Sequence, residues 1–269
     1  MTHSRPRIRE LLDEGHLAPR RDLGQNFVAD ANTVRRIAHL AKVGPGDGVV
    51  EIGAGLGSLT LALAETGAEV TAVEIDRGLA AALRTIVAGL ANVRVVEADA
   101  MTLDWDGVVG PGPVVLVANL PYNVATPLVA DVLDGVPQVA RLLVMVQREV
   151  AERFAAVPRT PAYGAVSVKI AYWATARIVG LVPASVFVPR PNVESALVEI
   201  VRREPPATDP IALFGLVRTA FNQRRKMLRR SLAGVVAAEQ FAAAGIEPTA
   251  RPEELDVAAW CALAEASAA

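Results

Sequence analysis

The residues that most directly suggest chemistry are Asn119-Leu120-Pro121-Tyr122. An aromatic amino nitrogen is a poor nucleophile because its lone pair is delocalised into the ring. Two acceptors placed on its hydrogens draw it toward tetrahedral geometry. The side-chain oxygen of Asn119 and the backbone carbonyl of Leu120 are of the right type. Pro121 has no N–H and stiffens the turn, which fixes that carbonyl. Tyr122 offers a ring face to a flipped-out base, a contact worth about 1–3 kcal/mol. No strong base is needed, since the proton leaves after the nitrogen has become positive. Rate enhancement then comes mainly from holding the nitrogen in line with a methyl donor. Taken alone, the tetrapeptide is also an ordinary turn, because Asn and Pro are frequent there.

Upstream, Val49-Val50-Glu51-Ile52-Gly53-Ala54-Gly55-Leu56-Gly57 reads as a strand entering a glycine turn and then a helix. The glycines permit a tight turn and a close backbone approach to a ligand. A dinucleotide fingerprint wants its third glycine five residues after the first, where this chain has Ser58. Glu51, aimed at the loop, suits a cofactor bearing a sulfonium and an amino group, and suits a pyrophosphate badly. Glu74 ends the next strand, where a carboxylate accepts both hydroxyls of an adenosine ribose. Asp99, in Glu97-Ala98-Asp99-Ala100, ends the third and is placed to accept from an adenine amino group. A nicotinamide dehydrogenase also uses an acid near Glu74; the tetrapeptide argues against it.

These residues need strands to present them. Residues 48–52, 69–74, 93–97, 114–118 and 142–146 read as strands, with helices predicted over 59–66 and 79–90. That alternation predicts right-handed βαβ units in a parallel sheet. Residues 177–182 and 195–201 are separated only by a proline-rich loop, which suits an antiparallel pair at one edge. Glu204-Pro205-Pro206 begins a linker. Helices are predicted over 211–220, 224–236, 237–244 and 252–266, with Pro252 at the first helical position of the last. The expected architecture is a doubly wound α/β sheet of Rossmann-like methyltransferase type, with seven strands and an antiparallel edge, over residues 1–203. A small all-helical domain follows over 204–269.

Of the 269 residues, 52% are hydrophobic and 21% charged, ordinary for a globular chain. No apolar run is long enough for a membrane span. The polar, Arg-containing start lacks the apolar core of a signal peptide, which predicts a cytoplasmic protein. A lone cysteine, Cys261, makes an intrachain disulfide impossible, and its apolar surroundings read as helix core. His3, His16 and His39 lack metal-ligand spacing, so no metal is expected. Net charge is −2, which does not announce a nucleic-acid binder. Yet Phe221 to Leu232 carries Arg224, Arg225, Lys226, Arg229 and Arg230 with no acid. These either meet phosphates or form a solvated helix face.

Together these motifs resemble the rRNA adenine dimethyltransferases, specifically the KsgA (RsmA) group. Leu23-Gly24-Gln25-Asn26-Phe27 is similar to that group's N-terminal cofactor motif. The glycine loop, Glu74, Asp99 and the tetrapeptide follow in the family's order. Residues 186–197 are similar to its F-x-P-x-P-x-V-x-S segment, and 221–229 to its helical-domain motif. The resemblance implies S-adenosylmethionine as cofactor, contacted by Gln25, Asn26, Val28, Glu51, Gly53, Gly55, Glu74, Asp99, Ala100 and Asn119. It implies that Asn119, Leu120, Pro121, Tyr122 and Phe187 are catalytic, with Tyr122 and Phe187 sandwiching the target base. Read from its neighbours alone, Phe187 is as well explained as a core residue. The implied reaction is dimethylation of two adjacent adenines near the 3′ end of 16S rRNA, by a monomer acting on an assembling 30S subunit. The Erm group, which methylates 23S rRNA, shares the fold and tetrapeptide. A non-catalytic ribosome-assembly or nucleic-acid-binding factor is a further alternative, against which the intact Glu74, Asn119 and Tyr122 argue.

Overall fold

The computed structural model describes residues 2–20, 23–121 and 123–268. The chain forms two compact units. One comprises residues 1–151 and 177–202; the other comprises 152–176 and 203–269. The second unit therefore includes residues 152–176, which the sequence division at 203 leaves in the first. The reason is local to the second unit. Tyr163 and Tyr172 are buried, and their hydroxyls donate to the carbonyls of Leu255 and Thr208 at 2.8 and 2.7 Å. Their rings pack with Phe214, Phe221, Leu228 and Trp260 in a single core. An aromatic residue with a polar tip goes where both can be satisfied, and here that place lies far along the chain.

The first unit is built on a seven-stranded sheet. We number its strands β1 (Gly48–Ile52), β2 (Glu69–Glu74), β3 (Val93–Glu97), β4 (Val114–Asn119), β5 (Val139–Gln147), β6 (Ala174–Val182) and β7 (Ser195–Arg202). Their order across the sheet is β3-β2-β1-β4-β5-β7-β6. Strands β1 to β5 pair in parallel, and β7 runs antiparallel to β5. The doubly wound sheet and its antiparallel edge are as the alternation predicts. Fully buried parallel strands must be apolar on both faces. Val49, Val50, Leu116, Val117 and Val144 are each no more than 1% exposed.

Helices α1 (Arg5–Glu14), α2 (Ala31–Ala41), α3 (Ser58–Ala64), α4 (Arg77–Ile86) and α5 (Ala125–Gly135) belong to this unit. Asp30 caps α2 and Asp76 caps α4, each accepting from first-turn amides. At the other end of α5, Arg202 donates to the carbonyls of Val132, Leu133, Val136 and Val139 at 2.9–3.1 Å. The guanidinium thus satisfies acceptors that a helix C-terminus leaves open. A two-stranded ribbon pairs Phe27 with Val188 and Val28 with Phe187.

In the second unit the helices include Ala165–Trp173, Pro210–Phe221, Leu228–Ser231, Ala238–Ala243 and Val257–Ala268. Two helix expectations are corrected. Residues 222–227 are turn and extended chain, so the basic segment does not continue a helix over 224–236. The amides of Leu228 and Arg229 instead donate to the carbonyls of Ala250 and Pro248. The final helix is split: Pro252–Glu254 is one 3-10 turn, and extended Leu255 precedes Val257–Ala268.

Replacing Arg202 by Met should leave several acceptors of α5 unpaired and cost about 2 kcal/mol. Urea unfolding measures it; an unchanged midpoint would show that water replaces the guanidinium freely.

Candidate active site

The parallel register sets the site. Ile52 pairs with Val73 on one side and with Ala118 on the other. The residues one step further, Gly53, Glu74 and Asn119, therefore emerge side by side at the carboxyl edge, where doubly wound sheets bind ligands. Gly53, Gly55 and Gly57 all have positive φ, 74°, 57° and 80°. Only glycine takes this conformation without strain, so the chain folds tightly over the edge. The Gly53 and Ala54 amides donate to the Val73 carbonyl at 2.9 and 3.2 Å. The Gly55 amide donates to Glu74 Oε2 at 2.7 Å, and the Asp76 amide to Oε1 at 2.9 Å. Glu74 is thereby fixed, with each oxygen held by one amide. Burial pushes its carboxyl above the ordinary range, and the two amides oppose that shift.

Glu51 is 2% exposed, and its Oε2 has no hydrogen-bond partner. Burial pushes its carboxyl up to about 8, the Thr60 hydroxyl opposes the shift, and the Glu74 charge adds to it. A carboxyl this poorly solvated stays protonated at neutral pH until a cation or strong donor reaches it. A second unpaired polar atom lines the same cavity: Gln25 Nε2, a donor. Gln25 is held at its other end, where Oε1 accepts from the Arg20 amide at 2.8 Å. An orphan carboxyl and an orphan amide N–H in one cavity match the ammonium and carboxylate of an amino-acid moiety.

That cavity is lined by Gln25, Asn26, Val28, Glu51, Gly53, Gly55, Glu74, Asn119, Leu120 and Pro121, among others. It continues into a second compartment containing Asp99 and Ala100, with Leu23, Gly53, Ile75 and Pro121 on the walls of both. The second compartment is mostly apolar, with Val73, Met101, Val124 and Leu128 around it. Asp99 is exposed and accepts from the Met101 amide at 2.9 Å. A flat apolar slot with one acid at its rim suits an adenine ring and its amino group. All the residues expected to hold the cofactor thus converge on one cleft. Ile75 and Met101 were not singled out by sequence, and an apolar residue directly after a strand-end acid, as at Ile75, is the signal that could have found one of them; Leu23 was named only as part of its motif.

The Asn119 amide nitrogen donates to the Asn26 carbonyl at 2.9 Å, joining positions 93 residues apart. A carbonyl can only accept, so this contact fixes which end of the Asn119 amide is which. Its oxygen is the end left for another ligand. Asn26 is steadied in turn, its side chain donating to the Gly24 carbonyl at 2.9 Å. A Cβ at Gly24, whose φ is 62°, would lie 3.0 Å from Pro121 Cβ. The Leu23 to Phe27 segment therefore packs directly against the tetrapeptide. The Leu120 amide donates to the Met145 carbonyl, and the Pro121 carbonyl accepts from Val124 and Ala125. Tyr122 lies outside the described residues.

Phe187 does not line the cleft. It is 1% exposed, paired with Val28, and packed with Val34, Ile37, Val117 and Leu143. The core reading of this residue describes its position here. Arg5 donates to the Phe187 and Ser185 carbonyls at 3.3 and 2.6 Å. In the other unit, Arg224 donates to the Pro161 carbonyl at 3.0 Å and lies 3.7 Å from a Glu253 carboxylate oxygen. Arg225, Lys226, Arg229 and Arg230 are exposed.

A doubly wound sheet, a glycine turn over a buried acid, and an oriented asparagine at the fourth strand define an S-adenosylmethionine-dependent methyltransferase. The model of the family described as ribosomal RNA adenine dimethylase matches residues 17–269, and the chain belongs to that family. It is 50% identical to the ribosomal RNA small subunit methyltransferase A of Cutibacterium acnes, over 97% of this chain and 93% of that one. It is 48% identical to the protein of the same name from Streptomyces coelicolor, over 96% and 94%. Among solved structures, the 23S rRNA methyltransferase ErmE superposes with TM-score 0.69 at 28% identity, over 90% of this chain and all of that one. A dimethyladenosine transferase from Plasmodium falciparum gives TM-score 0.74 at 24% identity, over 87% and 94%. The protein is an enzyme that uses S-adenosylmethionine and acts on ribosomal RNA. Among the described residues no helix is long and apolar enough to cross a membrane.

The raised Glu51 carboxyl has two consequences of defined sign. The folded, ligand-free chain holds a proton that the unfolded chain loses near pH 4.5. Its stability contribution therefore falls as pH rises from there to about 8. Cofactor affinity should move the other way, rising between about pH 6.5 and 8.5 as the carboxylate becomes available. In Glu51→Gln, calorimetric titration should show weaker affinity without that rise. A rise that persists in the variant would assign it to another group.

Proposed function

We propose that this enzyme dimethylates the N6 atoms of two adjacent adenosines near the 3′ end of 16S rRNA. In this reading it acts as a cytoplasmic monomer on an assembling 30S subunit. The observation that carries the reading is the Asn119 amide, locked by the Asn26 carbonyl with its oxygen directed elsewhere. The choice of 16S over 23S rests on relatives near 50% identity that are named for the small subunit.

Bound cofactor supplies an electrophilic methyl group on a sulfonium. The chain's own residues do the rest. Glu51 and Gln25 would take the amino-acid moiety, Glu74 the ribose and Asp99 the adenine of the cofactor. Gly53 and Gly55 bring backbone close, and Asn26, Val28 and Ala100 complete the walls. Asn119 Oδ1 and the Leu120 carbonyl would accept the two N–H groups of the target adenine. Tyr122 would supply a ring face for the base. The amino nitrogen would form the new N–C bond as the methyl's bond to sulfur breaks, the electron pair staying on a neutral thioether as leaving group, and the nitrogen's extra proton would pass to water. For the second transfer one N–H remains, so one acceptor still orients it. Phe187 reaches the base in this reading only if the ribbon shifts; in the position described it supports Val28 behind the cofactor wall. Arg225, Lys226, Arg229 and Arg230 are exposed to solvent, suited to rRNA phosphates. Arg224 works by bracing residues 161 and 253.

The Erm-type reading is kept by the structural likeness to ErmE. Mass spectrometry of rRNA from cells lacking the protein separates the two. Loss of dimethyladenine at the 16S 3′ end is expected. Loss confined to 23S rRNA would transfer the assignment, and intact dimethyladenine in both would favour a binding factor. Asn119→Ala should lower methyl transfer about 100-fold or more while cofactor affinity stays within a few-fold. Near-normal turnover would refute the role of that amide.

A further inference from the structure

One helix of the catalytic unit has two faces with different tasks. Val34 and Ile37 of α2 line the cofactor cavity. The opposite side carries Arg35 and Arg36, both exposed, and Lys42 follows at the C-terminal cap. Arg35 lies six residues, about 9 Å, before the last helical residue, and Lys42 follows that residue in the left-handed conformation. From Lys42 the basic surface runs into a cluster on the sheet. Lys42 Nζ lies 3.7 Å from Glu199 Oε1, and Arg141 lies 3.6 Å from the same oxygen. Arg177 donates to Glu199 Oε2, with Nε at 2.7 Å. Arg36 extends the surface along β6, donating to the Leu181 carbonyl at 3.3 Å. It lies so close over Gly180 that a Cβ there would collide with its guanidinium.

Three cations therefore surround one carboxylate, and Arg35 and Arg36 extend the patch along α2, five positive charges to one negative in a chain whose net charge is −2. Helix α2 contains no acid, nor do β5 and β6; Glu199 is the single acid of β7. A concentration of one sign against the global balance is a surface that selects for an anionic partner. Its place decides which one. A polymer whose base enters the cleft must carry its phosphates past the neighbouring elements. The outer face of α2 lies one helix diameter, about 10 Å, from the cavity wall at Val34 and Ile37, and from there the patch leads down the strands to Arg141, four residues before Met145 at the carboxyl edge.

We propose that the face formed by Arg35, Arg36, Lys42 and Arg177, with Arg141 braced behind it on the carbonyls of Leu40 and Lys42, is a second rRNA-binding surface, which holds backbone phosphates of the rRNA as it leads away from the target adenosine. The proposal rests on the rRNA reading above. Glu199 orients the three cations it touches and keeps them from repelling one another. The surface has no base-reading groups, so it adds affinity and register without sequence preference.

The test is a potassium chloride titration of binding to 30S particles purified from cells lacking the enzyme. Three proteins are compared: wild type, Arg35→Gln/Lys42→Gln, and the charge-conserving Arg35→Lys/Lys42→Arg. Removing two phosphate contacts should make the slope of log affinity against log salt shallower by about 1.5. Affinity at low salt should fall about tenfold or more. The charge-conserving variant should keep the wild-type slope, and all three should bind cofactor equally. A wild-type slope in the glutamine variant overturns the proposal, as does a slope lost equally in the charge-conserving one. Binding of wild type to 50S particles alone would move the substrate to 23S rRNA. The same comparison of slopes on that particle would then decide the role of this face.

Discussion

The site depends on the parallel pairing of β1 between β2 and β4. Ile52 meets Val73 and Ala118 across two ladders, and every functional group at the edge takes its place from that register. Because strand side chains alternate, a slip of one residue would send Glu74 and Asn119 to opposite faces. The register is held by burial: the strands are apolar on both sides, and any slip would bring Glu51 or Glu74 against hydrocarbon without the Gly55 and Asp76 amides that now hold Glu74. The positive-φ glycines then bend the chain over the edge so that backbone, not side chain, meets the ligand.

The same arrangement leaves charge where a cofactor must supply the partner. Glu51 and Gln25 each have a buried polar atom with nothing to bond. Such atoms are costly in a folded protein, and they persist here on two elements that converge on one cavity. The chain thus stores part of its cofactor recognition as incomplete solvation. Ligand binding completes it, which links affinity to the proton held on Glu51. Asn119 differs: its nitrogen is already committed to the Asn26 carbonyl. One group waits for a ligand and the other is aimed in advance.

Basic residues serve two different purposes on this molecule. Arg202 closes a helix end and Arg224 braces two loops, each through carbonyl or carboxylate contacts within one unit. Arg35, Lys42, Arg225, Lys226, Arg229 and Arg230 instead present charge to solvent. The near-neutral total hides this division. Counting arginines says little; asking what each guanidinium donates to separates scaffold from binding face.

The sequence by itself determined the strands, the glycine turn and the order of Glu51, Glu74, Asp99 and Asn119 along the chain. Those features are local: alternation, turn chemistry and strand-end acids are written in short windows. The motif at Leu23 to Phe27 was legible as a motif but not as a contact, since Asn26 meets Asn119 only when the ribbon pairs with residues 187–188. Phe187 looked equally suited to a base or to the core, and packing against Val34 and Leu143 decided for the core in this conformation. The basic segment carried a helical pattern over 224–236, yet the amides of Leu228 and Arg229 found distant carbonyls and broke it. Residues 152–176 read as part of the sheet domain until Tyr163 and Tyr172 found their partners in the helical core. In each case the deciding contact joins residues far apart in the chain, and non-local packing is the information that no window of sequence contains.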